Sequence, residues 1–278
     1  MNPKEKIRLI AFDLDGTTLQ HGNMLSERNR QAMEKAAAAG IFVVPCTGRN
    51  VSFLPPCLKE LPCIRYAITS NGAAVWDMRG KRCIASNLIC PETAAKVVRA
   101  AEKFRVYMEF YIDGQPVTER GNPEKAESYF CFPPEKLFFT KKEYRFKDSL
   151  YDYVVKDRVH IEKINFMYVP DEVRDNFYAE LLSIGGLEIT YSNVDNFELN
   201  TLGCDKGWGL RALCDALSVD VAASLAVGDN GNDFGMLRAA GFSVAVENAI
   251  DEVKAMCDVV VADYRADGFA EAVEKFVL

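Results

Sequence analysis

A chain of 278 residues, 49% hydrophobic and 26% charged, can bury a sizeable core and lies far from the compositions of disordered or fibrous proteins. Its 40 acidic against 33 basic residues leave a formal charge of −7, which opposes non-specific attraction to nucleic acid or to an anionic membrane surface. Nine cysteines, an odd number with no Cys-x-x-Cys pair, argue against a disulfide framework or a zinc site and are expected as mostly buried thiols of a reduced, cytoplasmic protein.

Met1 to Arg8 is charged and lacks the long apolar segment of a signal peptide. No stretch reaches the ~18 apolar residues of a membrane span, so neither membrane nor nucleic acid is expected as a partner. The only histidines, His21 and His160, share no metal-ligand spacing with another ligand type, which makes histidine-based catalysis a poor expectation.

In chain order, Ile7 to Phe12 is a compact apolar run stopped by Asp13, as suits a strand buried on both faces of a parallel sheet. A helix is predicted next, with Ser26 as N-cap, Met33 and the following alanines as its apolar stripe, and Gly40 at its C-terminal cap. Ile41 to Cys46 is a second strand ending at Thr47, which completes a βαβ unit. Tyr66 to Thr69 is another apolar strand, stopped by Ser70-Asn71-Gly72. From Cys83 to Asn200 the texture changes, with aromatic residues crowded between Phe104 and Phe146 and alternating segments at Tyr107–Ile112 and Ile164–Val169. The alternation of strand and helix then returns: a helix Lys206–Leu217, a strand Ala223–Val227, a helix Asp233–Ala240, and strands Ser243–Val246 and Val259–Val261. The predicted fold is α/β, a Rossmann-like parallel sheet with helices on both faces formed by 1–83 and 200–278, plus an inserted α+β domain at 84–199.

Ligands of an open parallel sheet bind beyond the carboxyl ends of its strands. The polar residues there are Asp13, Asp15, Thr47, Asp229, Asn230, Asn232 and Asp233. Carboxylates gathered on one rim repel unless a cation lies among them, and an all-oxygen ligand set favours magnesium over zinc or copper. In Asp13-Leu14-Asp15-Gly16-Thr17-Thr18, alternate residues of an extended chain share a face, so Asp13 and Asp15 can address one ligand before Gly16 permits a sharp turn. One carboxylate can attack phosphorus and the other can pass a proton to the leaving alcohol. A calcium loop does not fit: counted from Asp13, its sixth position is Thr18 instead of glycine and its twelfth is Met24 instead of glutamate.

Thr47-Gly48-Arg49 offers a hydroxyl and backbone N–H groups for phosphate oxygens. Lys206 opens a helix, where a positive charge opposes the dipole, and a bound phosphate would remove that conflict. Gly228-Asp229-Asn230-Gly231-Asn232-Asp233 lies between a strand and a helix.

Read together, these four elements resemble the motifs of the haloacid-dehalogenase-like phosphatase superfamily, and Cys-Thr-Gly-Arg, Ser70-Asn71-Gly72-Ala73 and Lys206-Gly-Trp-Gly-Leu resemble its Cof-type, subclass IIB members. The resemblance lies in about 1–82 and 201–278. It implies Asp13 as nucleophile, Asp15 as general acid/base, and Mg2+ held by the carboxylates of Asp13 and Asp229 and the backbone carbonyl of Asp15, with Asn230 in support. It further implies a phosphate cradle of Leu14, Thr47, Gly48, Lys206 and Asn232, with Arg49, Asn71 and Asp233 in supporting roles. The substrate would be a small phosphorylated metabolite.

About ten residues separate Gly16 from the first helix, too few for an inserted domain, whereas Thr47 and Lys206 enclose the whole insertion. Such an insertion is expected to act as a lid that excludes water and selects the substrate, with Phe138, Phe139, Tyr144 and Arg145 as candidate selecting residues. Three alternatives remain. Gly207-Trp208-Gly209-Leu210-Arg211-Ala212 mimics the glycine pattern of a dinucleotide-binding oxidoreductase, with Asp229 about twenty residues on, but the residues before it form a loop and Asp13 would go unexplained. A phosphomutase would pass phosphate from Asp13 to a sugar, and a binding module would keep the fold without turnover.

Overall fold

The computed structural model describes residues 7–20, 23–141, 143–191 and 195–278. The chain divides into two compact units, Met1–Ser86 with Cys204–Leu278, and Asn87–Gly203, so the division falls a few residues after 83/84 and 199/200. In chain order the first unit contains β1 (Leu9–Phe12), β2 (Leu19–Gln20), β3 (Met24–Leu25), α1 (Glu27–Ala38), β4 (Phe42–Pro45), α2 (Pro56–Lys59), β5 (Tyr66–Thr69), β6 (Ala74–Asp77) and β7 (Arg82–Ser86). The second contains α3 (Pro91–Phe104), β8 (Glu109–Ile112), β9 (Gln115–Glu119), β10 (Arg145–Lys147), α4 (Leu150–Lys156), β11 (Lys163–Phe166), α5 (Asp171–Ile184), β12 (Leu187–Thr190) and β13 (Phe197–Thr201). The chain then returns to the first unit with α6 (Lys206–Leu217), β14 (Ser224–Gly228), α7 (Phe234–Ala239), β15 (Phe242–Val246), α8 (Asp251–Met256), β16 (Val259–Val261) and α9 (Gly268–Phe276).

The core of the first unit is a five-stranded parallel sheet in the order β16-β15-β14-β1-β4. Every residue of β1 is fully buried, so both faces of its pleat are covered, as parallel sheets require. Burying Leu9, Ile10 and Phe12 contributes about 1.5–3 kcal/mol each. Phe12 is level with Val227 and Pro45, so the residues that follow them, Asp13, Gly228 and Cys46, lie along one carboxyl-end edge. That register sets up the site.

Ser26 caps α1 by accepting from the Asn29 backbone N–H at 3.1 Å, and Gly40 follows the helix in the left-handed region. Asn29 is buried on this helix; it donates to the Thr18 carbonyl at 3.0 Å and accepts from Ala270 N–H at 3.0 Å, tying the turn after β1 to α9. Tyr66–Thr69 is a strand but not a member of the parallel ladder. It opens an antiparallel sheet, β5-β6-β7, and meets the end of β4 through a parallel bridge between Cys46 and Ile68. The helix expected over Asp233–Ala240 starts instead as a 3-10 turn, Gly231–Asp233, with α-helix from Phe234.

The second unit is a six-stranded sheet, β10-β9-β8-β11-β13-β12, in which only β9 and β10 pair in parallel. Period-2 alternation sends Phe110, Ile112, Ile164, Phe166, Phe197 and Leu199 into an apolar core with Val97 and Ala101 of α3 and Phe177 and Leu181 of α5. The alternate residues Glu109, Tyr111, Lys163, Asn165, Glu198 and Asn200 are polar, yet all are buried. Hydrogen bonds offset that burial: Glu109 accepts from Tyr111 at 3.1 Å, Tyr144 at 2.8 Å and Asn165 at 2.7 Å, and Lys163 pairs with Glu198 at 3.1 Å. No disulfide joins any of the nine cysteines within the chain, but only Cys46, Cys204 and Cys214 are buried, fewer than expected. Among the described residues no helix is long and apolar enough to cross a membrane.

Candidate active site

Asp13 extends β1 by one ladder bond, its N–H donating to the Val227 carbonyl at 3.0 Å. Its carboxylate meets the ammonium of Lys206, which donates to Asp13 Oδ1 at 2.5 Å and to Asp233 Oδ1 at 2.6 Å. Lys206 is wholly inaccessible to solvent, although a lysine at the start of a helix would ordinarily be solvated. The helix begins there because Asp205 caps it, accepting from Trp208 N–H at 2.7 Å. Asp233 uses its other oxygen to accept from the N–H groups of Asp229 (2.9 Å) and Asn230 (3.0 Å), which fixes the loop after β14. Thr17 donates to Asp229 Oδ1 at 2.5 Å, joining the loops after β1 and β14. Gly16 between them has φ +84°, and a Cβ there would lie 2.7 Å from Asp229 Oδ2, so only glycine fits the turn.

Asp13, Asp229 and Asp233 each offer an oxygen within 4.8 Å of the others. Three carboxylates against one lysine leave excess negative charge. Burial pushes the Asp13 carboxyl well above its ordinary range, Lys206 opposes the shift, and Asp233 and Asp229 add to it. Burial likewise raises Asp229 to about 6, with Asp233 adding repulsion and the Thr17 hydroxyl opposing. Burial draws the Lys206 ammonium down, but Asp13 and Asp233 more than offset this and hold it above the usual lysine value. An all-oxygen cluster in which burial and neighbouring carboxylates raise Asp13 and Asp229 fits a hard divalent cation.

The sequence-predicted residues fall into two groups. Asp13, Lys206, Asp229 and Asp233 converge. Asp15 does not join them: Arg49 donates to its Oδ2 at 2.9 Å and also to its Oδ1, and the same guanidinium donates to Asn23 Oδ1 at 2.7 Å. The Asp15 side chain is 61% exposed, against 8% for that of Asp13. Asn230 uses its side chain as a cap, accepting from Gly231 N–H at 2.7 Å and sharing a capping box with Asp233. Thr47 is buried beyond β4, where its hydroxyl accepts from Arg49 N–H at 3.2 Å and its carbonyl from Asn71 N–H at 3.1 Å. Gly48 therefore sits in a loop braced at both ends. Leu14 is buried and its carbonyl closes the turn by accepting from Leu19 N–H at 2.9 Å, while Asn232 is half-buried in the 3-10 turn before α7.

In the inserted unit, Phe138 is exposed, Tyr144 is tied to Glu109, and Arg145 donates to the Ile112 carbonyl; the side chain of Phe139 and all of His21 lie outside the described residues. The glycine pattern at Gly207 has a packing cause, since a Cβ there would lie 2.2 Å from the Gly235 carbonyl oxygen. Three residues of the site went unassigned in the sequence. Thr17 and Asp205 act as described above, and Asn248 donates to the Gly16 carbonyl at 2.7 Å while accepting from Tyr264 N–H at 3.1 Å. Asn248 follows the apolar run of β15, so the rule that picked out Asp13 would also have found it.

A family model described as haloacid dehalogenase-like hydrolase matches residues 10–273. The chain is 28% identical over 272 residues to 5-amino-6-(5-phospho-D-ribitylamino)uracil phosphatase YcsE of Bacillus subtilis, covering 98% of this chain and 96% of that protein. It is 26% identical over 281 residues to the pyridoxal phosphate phosphatase YbhA of Escherichia coli, covering 98% and 99%. Among solved structures, a haloacid dehalogenase-like hydrolase from B. subtilis superposes with a TM-score of 0.82 at 25% identity, covering 98% of this chain and all of that one.

Proposed function

Because the chain belongs to the haloacid dehalogenase-like hydrolases, we propose that it hydrolyses the phosphate monoester of a small metabolite, with magnesium, through a phosphoryl group carried transiently on Asp13. The observation that supports this most directly is the buried Lys206 ammonium bridging Asp13 and Asp233 within a cluster of three carboxylates. It brings positive charge to a strand-end nucleophile that must approach an anionic phosphate. Asp13 and Asp229 would hold the cation, with the Asp15 carbonyl completing the set, and Asp233 orients Lys206. When bound, the metal supplies charge that offsets repulsion between carboxylate and phosphate.

An Asp13 carboxylate oxygen forms a bond to phosphorus while the bond from phosphorus to the leaving oxygen breaks, and that oxygen takes the proton from Asp15. Water then attacks phosphorus, Asp15 recovers a proton, the bond to Asp13 breaks, and phosphate leaves. Lys206 and the N–H groups of the Thr47–Arg49 loop, with Asn232, stabilise charge on the phosphoryl oxygens. To act, the Asp15 carboxylate must leave Arg49.

Selection of the leaving group is assigned to residues 87–203, the unit inserted between the motif-bearing parts of the chain. The named relatives act on phosphates bearing a heterocycle, which extends the reading to such compounds. The test is phosphate release from a panel of sugar phosphates, nucleotides and pyridoxal phosphate, with and without magnesium. Magnesium-dependent release that vanishes in Asp13→Asn is expected; transfer of phosphate between sugar positions without release would favour a mutase.

A further inference from the structure

Within the second unit a cavity of about 330 Å³ opens between the C-terminal end of α3, the start of β8, the end of β9 and the segment that follows it. That volume lies at the small end of metabolite pockets. Its floor is apolar and well ordered by packing: Ala101, Val106, Met108 and Phe130 are all buried.

The polar groups around this floor are not equivalent. Both carboxylates are already engaged, Glu102 with the Arg99 guanidinium at 3.1 Å and Glu119 with Leu150 N–H at 2.8 Å. The α3 carbonyls at this end are also satisfied, Ala101 by Val106 N–H at 3.0 Å and Glu102 by Arg105 N–H at 3.2 Å. Three donors are left over. Arg105 and Lys125 have no carboxylate partner among the described residues, and Arg105 lies 5.6 Å over the Tyr129 ring. Asn122 is the telling one, because its side chain lines the cavity, the residue is 8% exposed, and no side-chain hydrogen bond engages it among the described residues.

An apolar floor, an aromatic wall and uncommitted donors define complementary chemistry. We propose that this cavity is a second ligand site, separate in sequence from Asp13 and its partners, that binds a small organic anion: a flat apolar body on the Met108–Phe130 floor, with a carboxylate or phosphate group held by Arg105, Lys125 and the Asn122 amide. Arg105 gives planar, two-pronged recognition of either anion.

The test uses the intact chain and three probes of one shape: benzoate, phenylphosphonate, which cannot be hydrolysed at its carbon–phosphorus bond, and neutral benzyl alcohol. Binding is followed by amide chemical-shift changes. The expected result is that both anions perturb Arg105 to Met108, Asn122 and Tyr129, and bind at least about tenfold more tightly than benzyl alcohol. The double variant Arg105→Gln, Lys125→Gln should lose that preference while keeping its thermal stability and its phosphate release. Preference for benzoate over phenylphosphonate would identify the anion as a carboxylate, and the reverse as a phosphate-like group. Equal binding of all three probes, shifts confined to Thr47–Arg49 and Lys206, or no shifts at millimolar probe would each overturn the assignment.

Discussion

The ammonium of Lys206 and the carboxylate of Asp13 meet at 2.5 Å, with side-chain exposures of 0% and 8%, so each is the other's main solvent. Removing Lys206 leaves the buried carboxylates of Asp13 and Asp233 without their shared cation, and leaving buried charge unpaired typically costs about 3–5 kcal/mol. Lys206→Ala should therefore lower turnover by about 100- to 1,000-fold and destabilise the first unit. Lys206→Arg, which keeps the charge but not the shape, should recover stability more than turnover. Parallel phosphate-release and urea-denaturation measurements would separate the two effects.

The excess carboxylates give the metal-free protein a definite pH dependence. Asp229 has a folded value of about 6, against about 3.9 for an unfolded aspartate. Between those values the folded state holds a proton that the unfolded chain has released, so this contribution to stability is full below about pH 4 and is lost as pH rises through about 6. With chelator present, wild-type stability relative to Asp229→Asn should fall across that window. Magnesium should reverse the fall, and its affinity should weaken as the pH drops below about 6, where the ligand must first lose a proton. A flat wild-type-minus-variant difference would count against the assignment.

Arg49 holds Asp15 by two donors and is itself fixed by Asn23. A carboxylate held in an ion pair by both oxygens is poorly placed to donate a proton. Asp15→Asn should slow both formation and breakdown of the phosphorylated enzyme, by about 100- to 10,000-fold overall. Arg49→Ala should change the rates of both steps in the same direction, by releasing the Asp15 carboxylate. Rapid-quench kinetics would detect either outcome, and unequal effects on the two steps would contradict the shared role of Asp15.

Much of this arrangement was legible in local sequence patterns. The runs ending at Asp13 and Thr47 mark strand ends because a strand buried on both faces has no polar alternation, and the helix expected over Lys206–Leu217 has those ends in α6, although its cap, Asp205, was not picked out. The ribbon of β2 and β3 left no such trace, since two-residue strands are too short to show a period. Nor could local pattern reveal that Lys206 lies between carboxylates 193 and 27 residues away, or that Asp15 turns to Arg49, 34 residues on. In the inserted unit, alternation told which side chains share a face of β8 and β11. It could not tell that the face bearing Glu109, Lys163 and Asn165 is itself buried.

That buried polar face makes a prediction of its own. Glu109→Ala leaves Tyr111, Tyr144 and Asn165 without their acceptor, at about 1–3 kcal/mol for each group that finds no other. Thermal denaturation should show the Glu109→Ala chain destabilised by at least about 2 kcal/mol, while Glu109→Gln, which retains an acceptor oxygen, should lose less. Equal losses would mean that the charge, not the hydrogen bonding, stabilises the face.

The central claim is that phosphate passes through a bond to Asp13, and acid quenching followed by borohydride reduction tests it most directly. Reduction converts an aspartyl phosphate to homoserine, which peptide mass spectrometry locates. With substrate and magnesium, homoserine should appear at position 13, and it should be absent without magnesium. Sustained phosphate release with no homoserine at position 13, or with homoserine at another aspartate, would contradict the account.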